Sequence, residues 1–129
     1  MGSNAPEIKI TDPVILLRLN ERSPKDDIES LTGRQLYERA RCCWRVRLEH
    51  AQKAKFALAI YHGIVREVYV IEKWQHPADT RPPRHPADRE RWEFIGKIAD
   101  KSIRDRYLGR NVGWLFPPGT RNPVKYVNC

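Results

Sequence analysis

From Val14 to Leu19 the chain runs Val-Ile-Leu-Leu-Arg-Leu, an apolar stretch of strand length that the polar residues from Asn20 to Ser30 close off. It predicts a first strand. Thr32 followed by Gln35 fits a capping box, and Leu31 with Leu36 occupies the two positions of a hydrophobic staple, so a helix is predicted to begin there. Its apolar stripe, Leu36, Ala40 and Cys43, recurs at helical spacing and continues to Arg47, with Tyr37 and Trp44 at its flanks. The opposite face carries Arg34, Glu38, Arg41 and Arg45. This helix is therefore expected to present a basic ridge outward.

Phe56 to Tyr61, then His62-Gly63, then Ile64 to Trp74 predicts a β-hairpin, with Gly63 supplying the positive φ of a tight turn. Val68 to Ile71 is apolar at successive positions, as expected of a strand covered on both sides or one that bends around a small barrel. Gln75 to Glu90 contains four of the ten prolines and no apolar period, which predicts a mobile surface loop over about 75–90. Arg91 to Ile98 alternates as a strand. Asp100 is placed to cap a short helix carrying Ile103, Tyr107 and Leu108, which Gly109 would stop. Val124 to Val127 predicts a closing strand. Five or more strands, mostly antiparallel, with two or three short helices make an α+β fold. Met1 to Ala5 has the look of a cloning remnant, which leaves 6–129 as one expected domain.

The chain has 129 residues, so one core suffices. It contains no apolar run near the ~18 residues of a spanning helix and no leader pattern, so no membrane partner and a cytoplasmic location are expected. Charge adds more. Lysine and arginine number 24 against 16 acids, a net +8, and arginine outnumbers lysine 16 to 8. A guanidinium grips phosphate with two hydrogen bonds and stacks on bases, so a nucleic acid becomes a candidate partner.

Cys42, Cys43 and Cys129 form no Cys-x-x-Cys pair, and sequence neighbours are poorly placed to bridge each other, so a disulfide is not expected and a reducing compartment is. Cys43 is read as a core residue and Cys42 as a surface thiol. His76 and Asp79, repeated as His85 and Asp88, could in principle hold a divalent metal, but a proline-rich coil gives such ligands no rigid support. No metal or other cofactor is expected. No phosphate-cradling glycine loop or nucleophile elbow occurs, and His62 reads as a turn residue. Arginines interleaved with aromatics, Arg39 to Arg47 around Trp44 and Arg89 to Trp92, are the richer signal, because cations hold a nucleic-acid backbone while rings stack on bases. The alternative is that Trp44, Trp74, Trp92 and Trp114 are all core.

Leu36-Tyr37-Glu38-x-x-Arg41-x-x-Trp44-Arg45, Lys53 to Tyr69 around His62-Gly63, Trp74, Trp92-Glu93-Phe94-x-Gly96 and Asn122-Pro123-x-x-Tyr126-Val127-Asn128 together resemble a group of uncharacterised bacterial domains, found alone or attached to larger proteins that include defence nucleases. The element order in turn resembles the PUA-like superfamily, small pseudo-barrels that include the EVE, ASCH, YTH and SRA domains. That resemblance implies a pocket beside the first helix that accepts an RNA feature or a flipped, often modified base. The Lys, Thr and Glu motif of the ASCH-type amidohydrolases is missing. The expected function is a non-enzymatic module that binds DNA or RNA in a bacterial defence or RNA-processing context. Arg41, Arg45 and Arg47 would hold phosphates, an aromatic pocket would draw on Trp44, Tyr61, Trp74 and Trp92, and Asn20 would read a base edge. Two alternatives stay open: a small hydrolase of a modified nucleoside using Glu67 with Lys73, and a protein-interaction domain with an exposed apolar patch.

Overall fold

A computed structural model describes residues 9–21, 23–77 and 91–129. Five strands, β1 (Val14–Arg18), β2 (Phe56–Tyr61), β3 (Ile64–Gln75), β4 (Glu93–Ile98) and β5 (Val124–Val127), form one sheet in the order β4-β3-β2-β1-β5. Three helices accompany it: α1 (Gly33–Ala40), α2 (Leu48–Ala51) and α3 (Lys101–Tyr107). The α+β class holds. Three neighbouring pairs are antiparallel, but β1 and β2 run parallel, with Leu16 opposite Leu58.

The expected pseudo-barrel is not formed. β4 and β5 lie at opposite edges of an open sheet, and the reason is that each face is covered by its own helices. Ile15, Leu17, Ala57, Ala59, Tyr69 and Phe94 pack beneath Leu36 and Ala40 of α1 and Ala51 of α2. Leu16, Leu58, Ile60 and Val68 pack on the other side against Tyr107 of α3 and Val112. A sheet sandwiched in this way buries both faces without curling shut. The successive apolar residues of β3 reflect that double cover.

Local signals built the elements as anticipated. The Thr32 hydroxyl accepts from Gln35 N at 3.3 Å while the Gln35 side chain accepts from Thr32 N at 3.0 Å. Asp100 accepts from Ile103 N at 3.1 Å, and Gly109 ends α3 at φ +77°. The His62-Gly63 turn joins β2 and β3 with both residues at positive φ, 52° and 76°.

Helix α1, however, stops at Ala40 rather than reaching Arg47. Trp44 exchanges two backbone hydrogen bonds with Trp92, at 2.9 and 2.8 Å, and Phe94 N donates to Arg41 O. That pairing with the start of β4 takes the chain out of the helix and breaks the anticipated basic ridge. Cys42 and Cys43 are joined by a vicinal disulfide across a cis peptide bond, with their Cα atoms 3.1 Å apart, and Cys42 is the buried partner. Both cysteine readings are thereby corrected, and the cysteines give no argument for a reducing compartment. Most of the loop expected over 75–90, with Asp79, His85 and Asp88, and the expected remnant at 1–5 lie outside the described residues. Gln75 itself closes β3.

Candidate functional site

Chain leaving the carboxyl end of β1 turns to the face covered by α1, whereas chain entering β5 arrives from the face covered by α3. Diverging connections open a crevice beyond the carboxyl ends of strands, which is where α/β sheets bind ligands. A cleft of about 430 Å³ lies there, lined by Arg18, Asn20, Glu21, Tyr61, His62 and Phe116 among others. Its size is that of a small-molecule pocket.

The cleft is held from several sides. Arg39 of α1 donates to Asn20 O at 3.1 Å and pairs with Asp26, which ties both residues to the helix. Val112 N donates to Gly63 O at 2.8 Å, drawing the 111–116 segment against the hairpin turn. A Cβ on Gly63 would come within 3.2 Å of Gly113 Cα, so glycine serves both the turn and this close approach.

The electrostatics are unusual for so small a site. The Tyr61 hydroxyl donates to the Glu21 carboxylate, and His62 Nε2 lies 3.7 Å from Glu21 Oε1. The hydrogen bond from Tyr61 holds the Glu21 carboxyl below its usual value, and the same bond pushes the Tyr61 phenol up to about 12. On the opposite wall the Arg18 guanidinium lies over the Phe116 ring, 5.2 Å from its centroid, and donates to Thr120 O at 2.9 Å. Its Nε is buried with no hydrogen-bond partner, and no carboxylate among the described residues pairs with it.

No protein-family model, curated protein or solved structure matches this chain.

Of the residues singled out in the sequence, the cleft brings together Asn20 and Tyr61. Arg41 instead pairs with Glu38 at 2.9 Å and with the fully buried Glu93. Trp44 is 9% exposed and its Nε1 donates to Ala40 O at 2.7 Å. The Trp74 Nε1 donates to Ala51 O, and its ring meets Phe94 edge-on. Trp92 stacks on His76 with centroids 3.9 Å apart. These three rings therefore do not converge on the cleft. Arg18, Glu21, His62 and Phe116 were missed as site residues. Trp114, 49% exposed, follows Gly113 of the cleft wall in sequence but does not itself line the cleft.

Arg45 is exposed, away from both clefts' linings. Arg47 lines a second groove, about 450 Å³, with His50, Asn122, Lys125, Tyr126 and Cys129 along the outer side of β5. Among the described residues no carboxylate side chain lines this groove. The Tyr126 hydroxyl accepts from Arg47 N at 2.7 Å, and burial pushes its own titration up. Thr120 belongs to this groove while its carbonyl receives Arg18, so the two depressions meet across the 116–122 segment.

Glu67 and Lys73 are not assembled into a site. Glu67 is clasped by Arg104 at 2.8 and 3.1 Å, and Lys73 lies six residues further along β3, roughly 20 Å at the rise of a strand. Among the described residues no group of three metal-ligating side chains is gathered, and no helix is long and apolar enough to cross a membrane.

Proposed function

We propose that the protein binds nucleic acid, holding an unpaired base at the cleft beyond β1 and β2 and phosphates on Arg18 and along the β5 groove. The observation that carries this reading is Arg18. The half-buried guanidinium of Arg18 hydrogen-bonds only to carbonyl oxygens, and no carboxylate among the described residues pairs with it, so its charge is left uncompensated. A phosphate at the cleft supplies the missing counter-charge. The exposed ring of His62 in the cleft and that of Trp114, next in sequence to Gly113 of its wall, offer stacking surfaces, and the exposed Asn20 side chain offers an amide to a base edge. Arg47 and Lys125, both exposed, extend the cationic track.

The resemblance to PUA-like domains agrees with a base-accepting pocket and points to a modified base in a defence or RNA-processing setting. In this chain the pocket belongs to an open sheet and lies at strand ends rather than beside Trp44. Titration of the isotope-labelled protein with a ten-nucleotide single strand, followed by amide NMR, tests the assignment. Asn20, His62, Gly63 and Gly113 are expected to shift first. Shifts confined to the region of Trp44 and Trp92, or none at all, would refute it.

A further inference from the structure

The cleft holds more than binding requires. A carboxylate, a phenol and an imidazole are gathered in a cleft whose opposite wall carries the Arg18 guanidinium, although no catalytic motif in the sequence foreshadowed them. His62 is also placed with intent. It takes the first central position of a two-residue hairpin at φ 52°, where asparagine, aspartate or glycine is the usual choice, and this puts its ring 4.2 Å from that of Tyr61 and its Nε2 beside Glu21.

Resting on the nucleic-acid reading above, we infer that this cleft cleaves single-stranded RNA by transesterification, with Glu21 as general base, His62 as general acid and Arg18 as the phosphate anchor. RNA carries its nucleophile in place, the 2′-hydroxyl next to each phosphodiester, so the step needs proton transfer and charge stabilisation. Glu21 removes the 2′-hydroxyl proton as that oxygen attacks phosphorus. The bond from phosphorus to the 5′-oxygen breaks, and the imidazolium of His62 protonates the departing oxygen. The products are a 2′,3′-cyclic phosphate and a free 5′-hydroxyl, with no change in oxidation state.

After the step Glu21 holds a proton and His62 lacks one. Their 3.7 Å contact gives that proton a short return path, which restores the starting pair. The guanidinium of Arg18 faces the negative charge that grows on the phosphoryl oxygens. Tyr61, neutral at physiological pH, acts on Glu21 through its hydrogen bond and is a positioning residue.

The test uses a 5′-labelled twelve-nucleotide RNA containing all four bases, its all-DNA counterpart, and an RNA with 2′-O-methyl groups throughout, each in EDTA. Binding is read by anisotropy and cleavage by gel, with product ends identified by mass. The expected result is binding of all three and cleavage of the unmodified RNA alone, leaving 2′,3′-cyclic ends. Glu21→Gln should lower the rate by about 10²–10⁴-fold while binding changes less than threefold, and His62→Gln should lower the single-turnover rate at saturating protein by a similar factor whatever its ring contributes to binding. Tyr61→Phe should lower it less than either. Amide spectra of each variant confirm that the fold persists. Binding without cleavage, cleavage that leaves other ends, or cleavage that survives both substitutions overturns the catalytic inference and leaves the binding proposal standing. Absence of binding to all three probes overturns both.

Discussion

Replacing Trp114 and Trp44 with alanine, one at a time, separates an exposed ring next in sequence to the cleft wall from a ring in the core. Trp44 is 9% exposed, packs in the cluster beneath α1 and donates to Ala40 O, so its removal opens a cavity and strands a buried carbonyl. Such a truncation costs about 3–5 kcal/mol. For a chain of 129 residues each kcal/mol corresponds to roughly 3–5 °C, so Tm should fall by roughly 9–25 °C. Trp114 is 49% exposed, and surface changes usually stay within about 0.5 kcal/mol, so its variant should melt within roughly 3 °C of the parent. A stacked base is worth about 1–3 kcal/mol, hence a five- to hundredfold loss of affinity for a single-stranded oligonucleotide. Differential scanning fluorimetry and anisotropy on the same preparations read both quantities. Should Trp114→Ala bind as well as the parent, or Trp44→Ala melt unchanged, the division between core and site made here is wrong.

Three further substitutions probe the frame. Arg41→Ala removes a cation paired with the fully buried carboxylate of Glu93, so chemical denaturation should show a loss of about 3–5 kcal/mol instead of the intact fold expected of a surface phosphate contact. Gly96→Ala would place a Cβ 2.1 Å from Val70 O, a backbone atom that cannot turn aside, and should cost about 1–3 kcal/mol or more, seen as a lower Tm and loss of the β3–β4 amide protection pattern. Tyr69→Phe removes a buried hydroxyl that has no hydrogen-bond partner and should raise stability by about 1 kcal/mol in urea titration.

Where an element is decided by its own few residues, it was legible. The Thr32 and Gln35 box, the Asp100 cap and the His62-Gly63 turn each pair groups within three residues, and all three formed. The parallel direction of β1 against β2 was not legible, because an apolar run of strand length carries no sign of which neighbour it joins or which way. The end of α1 was hidden for a related reason: its periodicity continues to Arg47, and only Trp92, distant in sequence, offers the backbone groups that override it. The same holds for the site. Asn20 and Tyr61 drew notice for their chemistry, whereas Arg18 had the appearance of a lone charge in an apolar strand and His62 that of a turn residue. One local signal was available, a histidine where a hairpin normally spends asparagine or glycine. The tryptophans misled because size and arginine neighbours do not tell a buried indole from an exposed one.

Nucleic-acid binding through Arg18 is tested by the salt dependence of affinity for a single-stranded oligonucleotide, for the parent and for Arg18→Gln. With Arg18, Arg47 and Lys125 each neutralising one phosphate at a slope of about −0.7 per contact, affinity should fall roughly twentyfold between ~50 and ~200 mM salt. Arg18→Gln should bind more weakly at ~50 mM and fall only about sevenfold over the same range. Failure of the parent to bind at ~50 mM salt, or an identical slope in the variant, would contradict the account.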